Sequence, residues 1–439
     1  MPIVTDGRVS PQSIVAAARK AGTPLYLYDE TSIVERCRGV LAMPNAFGLT
    51  VRYAMKANSA KAILQIVTAE GLGLDNSSLN EARRAAMAGV PFDRMMLTTQ
   101  DVPEGDDRRD LEAMMSRGLV YTACSQRQLE LAATFARAQR LKLAVRVNPG
   151  VGTGESVTRN TGDKYSSFGF HLAGLPRALD FAKSSGLVIG QVHVHIGSGG
   201  DPALWQGNID TMLDIVDKHF PDAEALDLGG GFKEARMPDE QAADIAALGA
   251  YAKRRFEELA ARSGRKLRMA VEPGTYIVAN AGYLVTRVLD KKWSGPDGFE
   301  FIVVDGGMEA NTRPLLYGSR HPFYVVSKKG DLMSSDWALD GASAQHADRV
   351  VVGRCCESGD SQSLDDRGHI VPRTMADPDV GDYVVIGGTG AYCSTMSPFN
   401  YNSYLQAPEV LLRRSGELVI IREQQRLEQV VTNERGIDR

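Results

Sequence analysis

Short apolar segments alternate with stretches of helical periodicity over the first 280 or so residues, and this rhythm constrains the fold more than any other feature. Stretches such as "SLNEARRAAMAG" and "AADIAALGAYAKRRFEELAARS" place apolar residues on one face of a helix. Eight segments read as strands: "VRYAM" (51–55), "GLGLD" (71–75), "RMMLT" (94–98), "LVYTA" (119–123), "LAVRVN" (143–148), "QVHVHI" (191–196), "ALDLGG" (225–230) and "MAVEPG" (269–274). Eight strands that alternate with helices predict an α/β fold, a parallel (β/α)8 TIM barrel. A doubly wound open sheet is the alternative that the rhythm leaves open.

Beyond about residue 280 the pattern changes to strand-like runs separated by Gly, Pro and Asp turns, with almost no helical periodicity. The runs are "YLVTRVLD", "FEFIVVD", "FYVVS", "RVVVG", "DYVVIGG" and "ELVIIR". They predict a separate C-terminal β domain of the sandwich or barrel type. The early run "PLYLYDE" (24–30) precedes the barrel rhythm, so we expect it to join that domain. The predicted domains are therefore a barrel over 31–280 and a β domain made of 1–30 plus 281–439.

Composition excludes several classes of function. The 439 residues carry a net charge of -4, which gives no electrostatic footprint for nucleic acid. No apolar segment approaches the ~18 residues of a membrane helix, and the N-terminus does not read as a signal peptide. The five cysteines are odd in number and lack metal-ligand spacing, which favours reduced thiols in a cytoplasm and no metal site.

One lysine, Lys56 in "RYAMKANS" (52–59), stands at the end of the first barrel strand. A lysine there could simply reach solvent. In a TIM barrel, however, the chemistry lies at the C-terminal ends of the strands. By that rule the following residues converge on one rim with Lys56: Asp75, Arg146, Asn148, His195, the glycines of "LDLGGGF" (226–232) and Glu272 of "AVEPGT".

These rim residues have a combined chemical meaning. Each has an ordinary interpretation, since a histidine can be structural, a glycine run can be a tight turn, and a glutamate can pair with any neighbour. Together they supply an amine nucleophile, a flat imidazole, backbone N–H groups that can cradle a phosphate, and a carboxylate. Those are the parts needed to hold pyridoxal 5'-phosphate.

The motifs "YAMKAN", "HVHIGSG", "LDLGGGF", "VEPG", "CESGD" and "GAY" occur in the order found in a known family. The chain resembles the fold type III, alanine-racemase-like pyridoxal-phosphate decarboxylases from about residue 24 to about residue 411, and within them it is most similar to the diaminopimelate decarboxylases. The resemblance implies that Lys56 attaches to the cofactor aldehyde and that His195 packs on its ring. It also implies that Glu272 faces the pyridine nitrogen. The remaining implied cofactor contacts are Ser198, Gly230, Gly231, Gly274, Thr275 and Tyr392.

The β domain carries further implied roles. "CCESGD" (355–360) matches the family's Cys-Glu-Ser motif at Cys356, which would supply a proton to the α-carbon after CO2 leaves, while we expect Cys355 to be inert. In this family the loop reaches the active site of the partner subunit, which implies a homodimer with shared active sites. Tyr392 would touch both cofactor phosphate and substrate.

The segment "DGGMEANTRPLLYG" (305–318) bears on the substrate. The resemblance implies that Arg313 and Tyr317 bind the far carboxylate of an amino acid such as meso-diaminopimelate, and that Glu357 accepts its far ammonium group. Product would then be L-lysine.

One departure from the family leaves the substrate open. Thr275 stands where diaminopimelate decarboxylases carry an arginine, so either Arg320 or another cation substitutes, or the substrate differs at its far end. Citryl-linked, carrier-protein-linked and ornithine- or lysine-type amino acids are the alternatives. An amino-acid racemase, a non-catalytic pyridoxal-phosphate-binding protein and a regulatory partner that has lost its activity are more remote ones.

Overall fold

The computed structural model describes residues 9–152, 161–197, 199, 201–337 and 346–437. The chain divides into two compact units, one made of Met1–Ile33, Ala235–Glu240 and Val278–Arg439, the other of Val34–Glu234 and Gln241–Ile277. The sequence-based boundaries of 31–280 and 1–30 plus 281–439 remain a prediction of domain organisation. No helix among these residues is long and apolar enough to cross a bilayer.

The elements are numbered in chain order over the described residues. The strands are β1 (Leu25–Asp29), β2 (Leu49–Ala54), β3 (Gly73–Asn76), β4 (Met95–Thr98), β5 (Val120–Ala123), β6 (Lys142–Asn148), β7 (Phe170–His171), β8 (Val188–His193), β9 (Ala225–Asp227), β10 (Arg268–Val271), β11 (Gly282–Trp293), β12 (Glu300–Val304), β13 (Phe323–Val326), β14 (Leu332–Ser335), β15 (His346–Val352), β16 (Arg373–Ala376), β17 (Tyr383–Ile386), β18 (Glu409–Leu412) and β19 (Leu418–Arg422). The helices are α1 (Pro11–Ala21), α2 (Glu30–Leu41), α3 (Lys61–Ala69), α4 (Leu79–Met87), α5 (Gly105–Met115), α6 (Gln126–Ala138), α7 (Leu175–Ser185), α8 (Pro202–His219), α9 (Ile245–Ser263), α10 (Thr275–Val278), α11 (Arg313–Tyr317) and α12 (Leu427–Val430).

Eight parallel strands close into a barrel in the order β2-β3-β4-β5-β6-β8-β9-β10. Closure is direct, because Met269 of β10 lies opposite Leu49 of β2 in a parallel pair. The predicted TIM barrel is confirmed, and the open-sheet alternative is wrong because such a sheet would leave its outer strands unpaired. Each of the eight segments predicted as strands overlaps one, although β8 ends at His193 and not at Ile196.

Local sequence explains where the barrel helices begin. Helix α9 begins after Asp244, whose carboxylate accepts the N–H of Ala247 at 2.9 Å, and ends at Gly264 with a φ of 73°. Its buried face repeats at helical spacing through Leu248, Ala252, Phe256 and Leu259. The predicted helical stretch therefore begins three residues late, because an aspartate in its first turn caps the helix instead of entering it.

The other unit is mostly sheet. Its strands join in the order β14-β13-β17-β11-β1-β18-β19, and β12, β15 and β16 continue from β11. The N-terminal strand β1 pairs antiparallel with β11 and parallel with β18. Its core is apolar and contains Leu25, Leu27, Val285, Val385 and Val410.

Six elements of the β domain were not predicted from sequence, namely helices α1, α11 and α12 and strands β14, β16 and β18. Helix α1 begins at Pro11 after a capping Ser10 and packs Ile14 and Val15 into the core. Strands β14, β16 and β18 have four residues each, which is too short for a period-two pattern to stand out.

Candidate active site

Lys56 lies on the 3-10 turn Met55–Ala57, directly after β2. Its two neighbours are buried while Lys56 itself is exposed at the barrel rim. The turn is held from β10, since the N–H of Ala54 donates to the carbonyl of Pro273 at 3.2 Å. Gly274 packs against the same turn, because a Cβ on it would lie 3.2 Å from the Cβ of Ala57. The amine is therefore presented on a backbone that two strands fix.

His195 and the glycine loop after β9 pack closely against each other. The N–H of Gly230 donates to Nδ1 of half-buried His195 at 3.3 Å, so the ring proton belongs on Nε2. A Cβ on Gly230 would lie 2.5 Å from the carbonyl oxygen of Glu272, and one on Gly229 2.4 Å from that of Val194. Burial lowers the pKa of His195 well below its usual value, with the charges of Lys56 and Arg146 acting in the same direction. A neutral imidazole thus faces glycines that no other residue could replace without backbone movement.

Glu272 follows β10 and is buried beneath the rim. Its Oε2 lies 3.1 Å from Nε2 of His193, the last residue of β8. Burial raises the pKa of Glu272, and the charges of Lys56 and Arg52 oppose that rise. Burial also lowers the pKa of His193 to about 4, so His193 is neutral, and the tautomer with its proton on Nε2 can donate to Glu272.

Two further buried carboxyl groups surround Glu272. Asp227 pairs with Arg52 at 3.0 Å and accepts the N–H of Gly229 at 3.0 Å, and its burial raises its pKa to about 6. Burial raises the pKa of Asp75 to about 8, the charge of Glu272 adds to the rise, and Lys56 opposes it. Lys56 is therefore within electrostatic reach of both Asp75 and Glu272, as the convergence at the barrel rim requires.

Three residues of this site were not predicted from sequence. His193, Asp227 and Arg52 were not selected, although each had a signal. In the strands predicted from sequence, His193 stands two residues before His195 and Arg52 four residues before Lys56, which puts each pair on one face, and Asp227 ends a strand just before the glycines. Arg146 was placed at the rim, where its Nη2 lies 3.4 Å from the carbonyl oxygen of His195.

The rim fits a flat, anionic, nitrogen-containing ring. Among the described residues, Oε1 of Glu272 is buried and has no hydrogen-bond partner, so it is available for an external N–H. The glycine loop offers backbone N–H groups in a space where side chains do not fit. Ser198, expected on the phosphate loop, lies outside the described residues, and Thr275 begins α10, half-buried.

In the β domain, Arg313, Tyr317 and Tyr392 lie together. Arg313 is buried at the start of α11 and donates to Oγ of Ser319 at 3.2 Å. Its guanidinium carbon lies 5.6 Å from the ring centre of Tyr317 and 5.8 Å from that of Tyr392. Tyr392 has a φ of 60°, which is unusual for a bulky side chain.

The two adjacent cysteines differ sharply. Cys356 is exposed, whereas the half-buried Cys355 thiol donates to Oε2 of Glu309 at 3.4 Å. Burial raises the pKa of Cys355 far above its usual value, with the charges of Glu309 and Asp360 acting in the same direction. A thiol held in its protonated form reacts slowly. This arrangement supports the expectation that Cys355 is inert.

Within the described part of the chain, two groups of side chains have ligand atoms that lie within 4.8 Å of one another. They are His193, Asp227 and Glu272 in the barrel and Glu309, Cys355 and Asp360 in the β domain. Asp360 accepts the N–H of Met308 at 2.6 Å and that of Cys355 at 2.7 Å. These hydrogen bonds from backbone N–H groups offset the cost of burying its carboxylate. The absence of a metal remains a prediction.

A closed parallel barrel whose rim carries a lysine, a neutral histidine, a glycine loop and a buried glutamate defines a class, the barrel enzymes that use pyridoxal phosphate. Residues 31–279 match the model of the pyridoxal-binding domain of pyridoxal-dependent decarboxylases. The chain belongs to this family, is a pyridoxal-phosphate-dependent amino-acid decarboxylase, and takes pyridoxal phosphate as cofactor.

Individual relatives span nearly the whole chain. The chain is 32% identical to diaminopimelate decarboxylase of Escherichia coli strain K12 over 438 residues, which covers 98% of each protein. It is also 32% identical to that of Streptomyces coelicolor, covering 98% of this chain and 93% of the relative. A crystal structure of a diaminopimelate decarboxylase superposes with a TM-score of 0.86 at 29% identity, covering 98% of both chains. The Helicobacter pylori enzyme in complex with L-lysine gives 0.76 at 26% identity, covering 94% of this chain and 97% of the other.

Proposed function

We propose that this decarboxylase converts meso-diaminopimelate to L-lysine, as a cytoplasmic homodimer whose subunits share their active sites. The assignment of the substrate depends on one observation, that the guanidinium of Arg313 is buried between two tyrosine rings in the β domain. A buried cation of this kind suits a carboxylate, since Arg offers paired N–H donors in one plane. The relatives named diaminopimelate decarboxylase support the same substrate.

The barrel rim would hold the cofactor through Lys56, which attaches to its aldehyde. Glu272 would accept the ring N–H at Oε1 while His193 fixes its other oxygen. His195 would pack on the ring. The phosphate would be bound by Ser198, Gly230, Gly231 and Tyr392, and Gly274 and Thr275 would also contact the cofactor. When bound, the cofactor supplies a protonated ring that takes up the electron pair left on the α-carbon as CO2 departs.

The protein's own groups would then complete the reaction. Glu272, which His193 keeps in place, would favour a protonated ring nitrogen, because an adjacent carboxylate stabilises the charged form. Arg313 and Tyr317 would bind the far carboxylate and Glu357 the far ammonium group. Cys356 would give its Sγ proton to the α-carbon, which replaces the bond lost with CO2.

A decarboxylase of another modified amino acid is the second candidate, and the residue that favours it is Thr275. This position lacks the cation that would help to hold a far carboxylate. Arg320, the expected substitute, already pairs with Asp239 at 2.8 Å. Citryl-linked, carrier-protein-linked and ornithine- or lysine-type amino acids remain the substrates of this candidate.

A CO2-release screen tests the proposal. We expect release from meso-diaminopimelate and much less from L-lysine or L-ornithine, which lack the far carboxylate. Arg313→Lys keeps the charge but loses the paired donors, so we expect KM for meso-diaminopimelate to rise by roughly tenfold or more. Activity confined to simple diamino acids, or an unchanged KM in Arg313→Lys, would refute the assignment of Arg313.

A further inference from the structure

The turn 400–403 has an unusual backbone. Asn400, Asn402 and Ser403 have φ values of 67°, 49° and 61°, and none of them is glycine. Only Arg140 and Tyr392 share this property elsewhere in the described chain. Three left-handed residues in four persist only where surrounding contacts hold them, and such clusters mark functional sites. The turn is also largely at the surface, so packing in a core does not hold it.

Side-chain hydrogen bonds hold the turn from one side. The amide of Asn400 donates to the carbonyl of Tyr404 at 2.9 Å and to Oε1 of Gln425 at 2.6 Å. The same Oε1 accepts the N–H of Gln406 at 3.0 Å. Gln425 follows the last strand, so the C-terminal segment closes the turn. Asparagine tolerates the left-handed region better than other residues with a side chain, which explains its use at two of the three positions.

The other side of the turn contacts the loop that carries Cys356 and Glu357. Oδ1 of Asn402 accepts the backbone N–H of Cys356 at 2.8 Å. The hydroxyl of Tyr401, between the two asparagines, donates to Oε2 of Glu357 at 3.2 Å. This hydrogen bond helps to lower the pKa of Glu357, to which the N–H of Gly359 contributes most. Two consecutive residues of one strained turn therefore reach two consecutive residues of the functional loop.

We propose that the turn 400–403 is a positioning element in which Asn402 aims the proton donor Cys356 and Tyr401 aims the ammonium acceptor Glu357. The inference rests on the roles proposed above for Cys356 and Glu357. The side chains of Tyr401 and Asn402 both contact the loop, and Gln425 holds the turn through Asn400. The two contacts serve different steps, since Asn402 acts on proton delivery and Tyr401 on substrate binding.

Three variants separate these contacts. Asn402→Gly keeps a residue that accepts the left-handed backbone and removes the side chain whose Oδ1 accepts the Cys356 N–H. Tyr401→Phe removes only the hydroxyl on Glu357. Tyr404→Phe is the matched control, because its hydroxyl donates to the carbonyl of Arg354 at 3.1 Å and touches neither functional residue.

Steady-state kinetics and amide hydrogen exchange give the readouts. For Asn402→Gly we expect kcat to fall about three- to tenfold with KM within about twofold, the scale of one hydrogen bond. Exchange of the Cys356 amide should quicken by a similar factor. Tyr401→Phe should raise KM about three- to tenfold and leave kcat within about twofold. Tyr404→Phe should change neither constant.

Several outcomes overturn the inference. A wild-type kcat in Asn402→Gly overturns it, whether or not the Cys356 amide exchanges faster. An equal loss of activity in Tyr404→Phe also overturns it, because that loss would show a general effect on the loop. If Asn402→Gly does not fold, the split between KM and kcat in Tyr401→Phe decides the question. If the wild-type enzyme decarboxylates no amino acid in the screen, the proposed function fails instead. In that case, unchanged exchange of the Cys356 amide in Asn402→Gly would still refute the positioning role of the turn.

Discussion

The barrel rim and the Cys356 loop of the β domain solve the placement of functional groups in opposite ways. At the rim, Asp227 and Glu272 are buried, and the pairing of β9 with β10 fixes the position of the backbone that carries them. In the loop, Cys356 and Glu357 are exposed, and each makes one hydrogen bond with a strained turn. Burying charged groups at the rim costs free energy unless the charges have partners. For the loop, the cost lies instead in the left-handed backbone of the turn 400–403 that contacts it. The difference predicts that rim variants change cofactor binding and stability, whereas loop variants change rates.

The largest expected effect is at the rim. Lys56→Ala removes the amine that attaches the cofactor, and we expect kcat/KM to fall by on the order of a thousandfold or more, as when other covalent nucleophiles are removed. CO2 release measures the loss, and borohydride reduction followed by peptide mass analysis should label Lys56 only in the wild type. Wild-type activity in Lys56→Ala would refute the assigned role of the rim.

The next effect belongs to the loop and uses its two cysteines as a matched pair. Cys356→Ser should lower kcat by roughly a hundredfold, because a positioned acid contributes about that much. Cys355→Ser should stay within about twofold, since that thiol already donates to Glu309. Thermal unfolding serves as the control for folding. Equal losses in the two variants would show that the loop, and not the exposed thiol, is what matters.

A smaller effect tests the tight packing of the rim. Gly230→Ala places a Cβ 2.5 Å from the carbonyl of Glu272, so the backbone must shift, and we expect cofactor affinity to fall about tenfold. Gly207→Ala in α8 is the control, because a Cβ there meets nothing within 4 Å. Titration with pyridoxal phosphate measures both. Unchanged affinity in Gly230→Ala would show that the loop has more room than the geometry indicates.

The smallest effect compares the buried and exposed carboxyl groups through pH. Asp75 has its pKa raised to about 8, so between about pH 4 and pH 8 the folded cofactor-free protein holds a proton that the unfolded chain has released. Its stability contribution therefore declines as pH rises through this window. Asp75→Asn should raise the Tm of the cofactor-free protein by on the order of a few degrees at pH 8 and by less at pH 5.

Glu357 should behave in the opposite sense. Its pKa is lowered, so it stabilises the folded protein at neutral pH and this contribution is lost as pH falls. Glu357→Gln should accordingly lower Tm slightly at pH 7 and not at pH 3. Since Glu357 is exposed, the effect should be smaller than that of Asp75→Asn. A gain in Tm for Glu357→Gln at pH 7 would contradict the contrast between rim and loop.

Much of the rim could be predicted because its information is local. Lys56, His195 and Glu272 each follow a strand that hydrophobic patterning reveals, and closure of the barrel then brings the strand ends together. The partners that tune these residues were harder to find. His193 supports Glu272 across two strands, and a sequence pattern does not show which neighbouring side chains touch.

The sequence by itself determined the eight-strand rhythm, the β domain with its N-terminal strand, and the residue types at the rim, because periodicity and strand-end chemistry are readable along the chain. Only the tertiary structure decided which carboxyl groups are buried together, why Gly230 admits no side chain, and how Asn402 reaches Cys356 from 46 positions away. The physical reason is that burial, steric room and left-handed backbone depend on neighbours distant in sequence. Local propensity carries no information about them until the chain has folded.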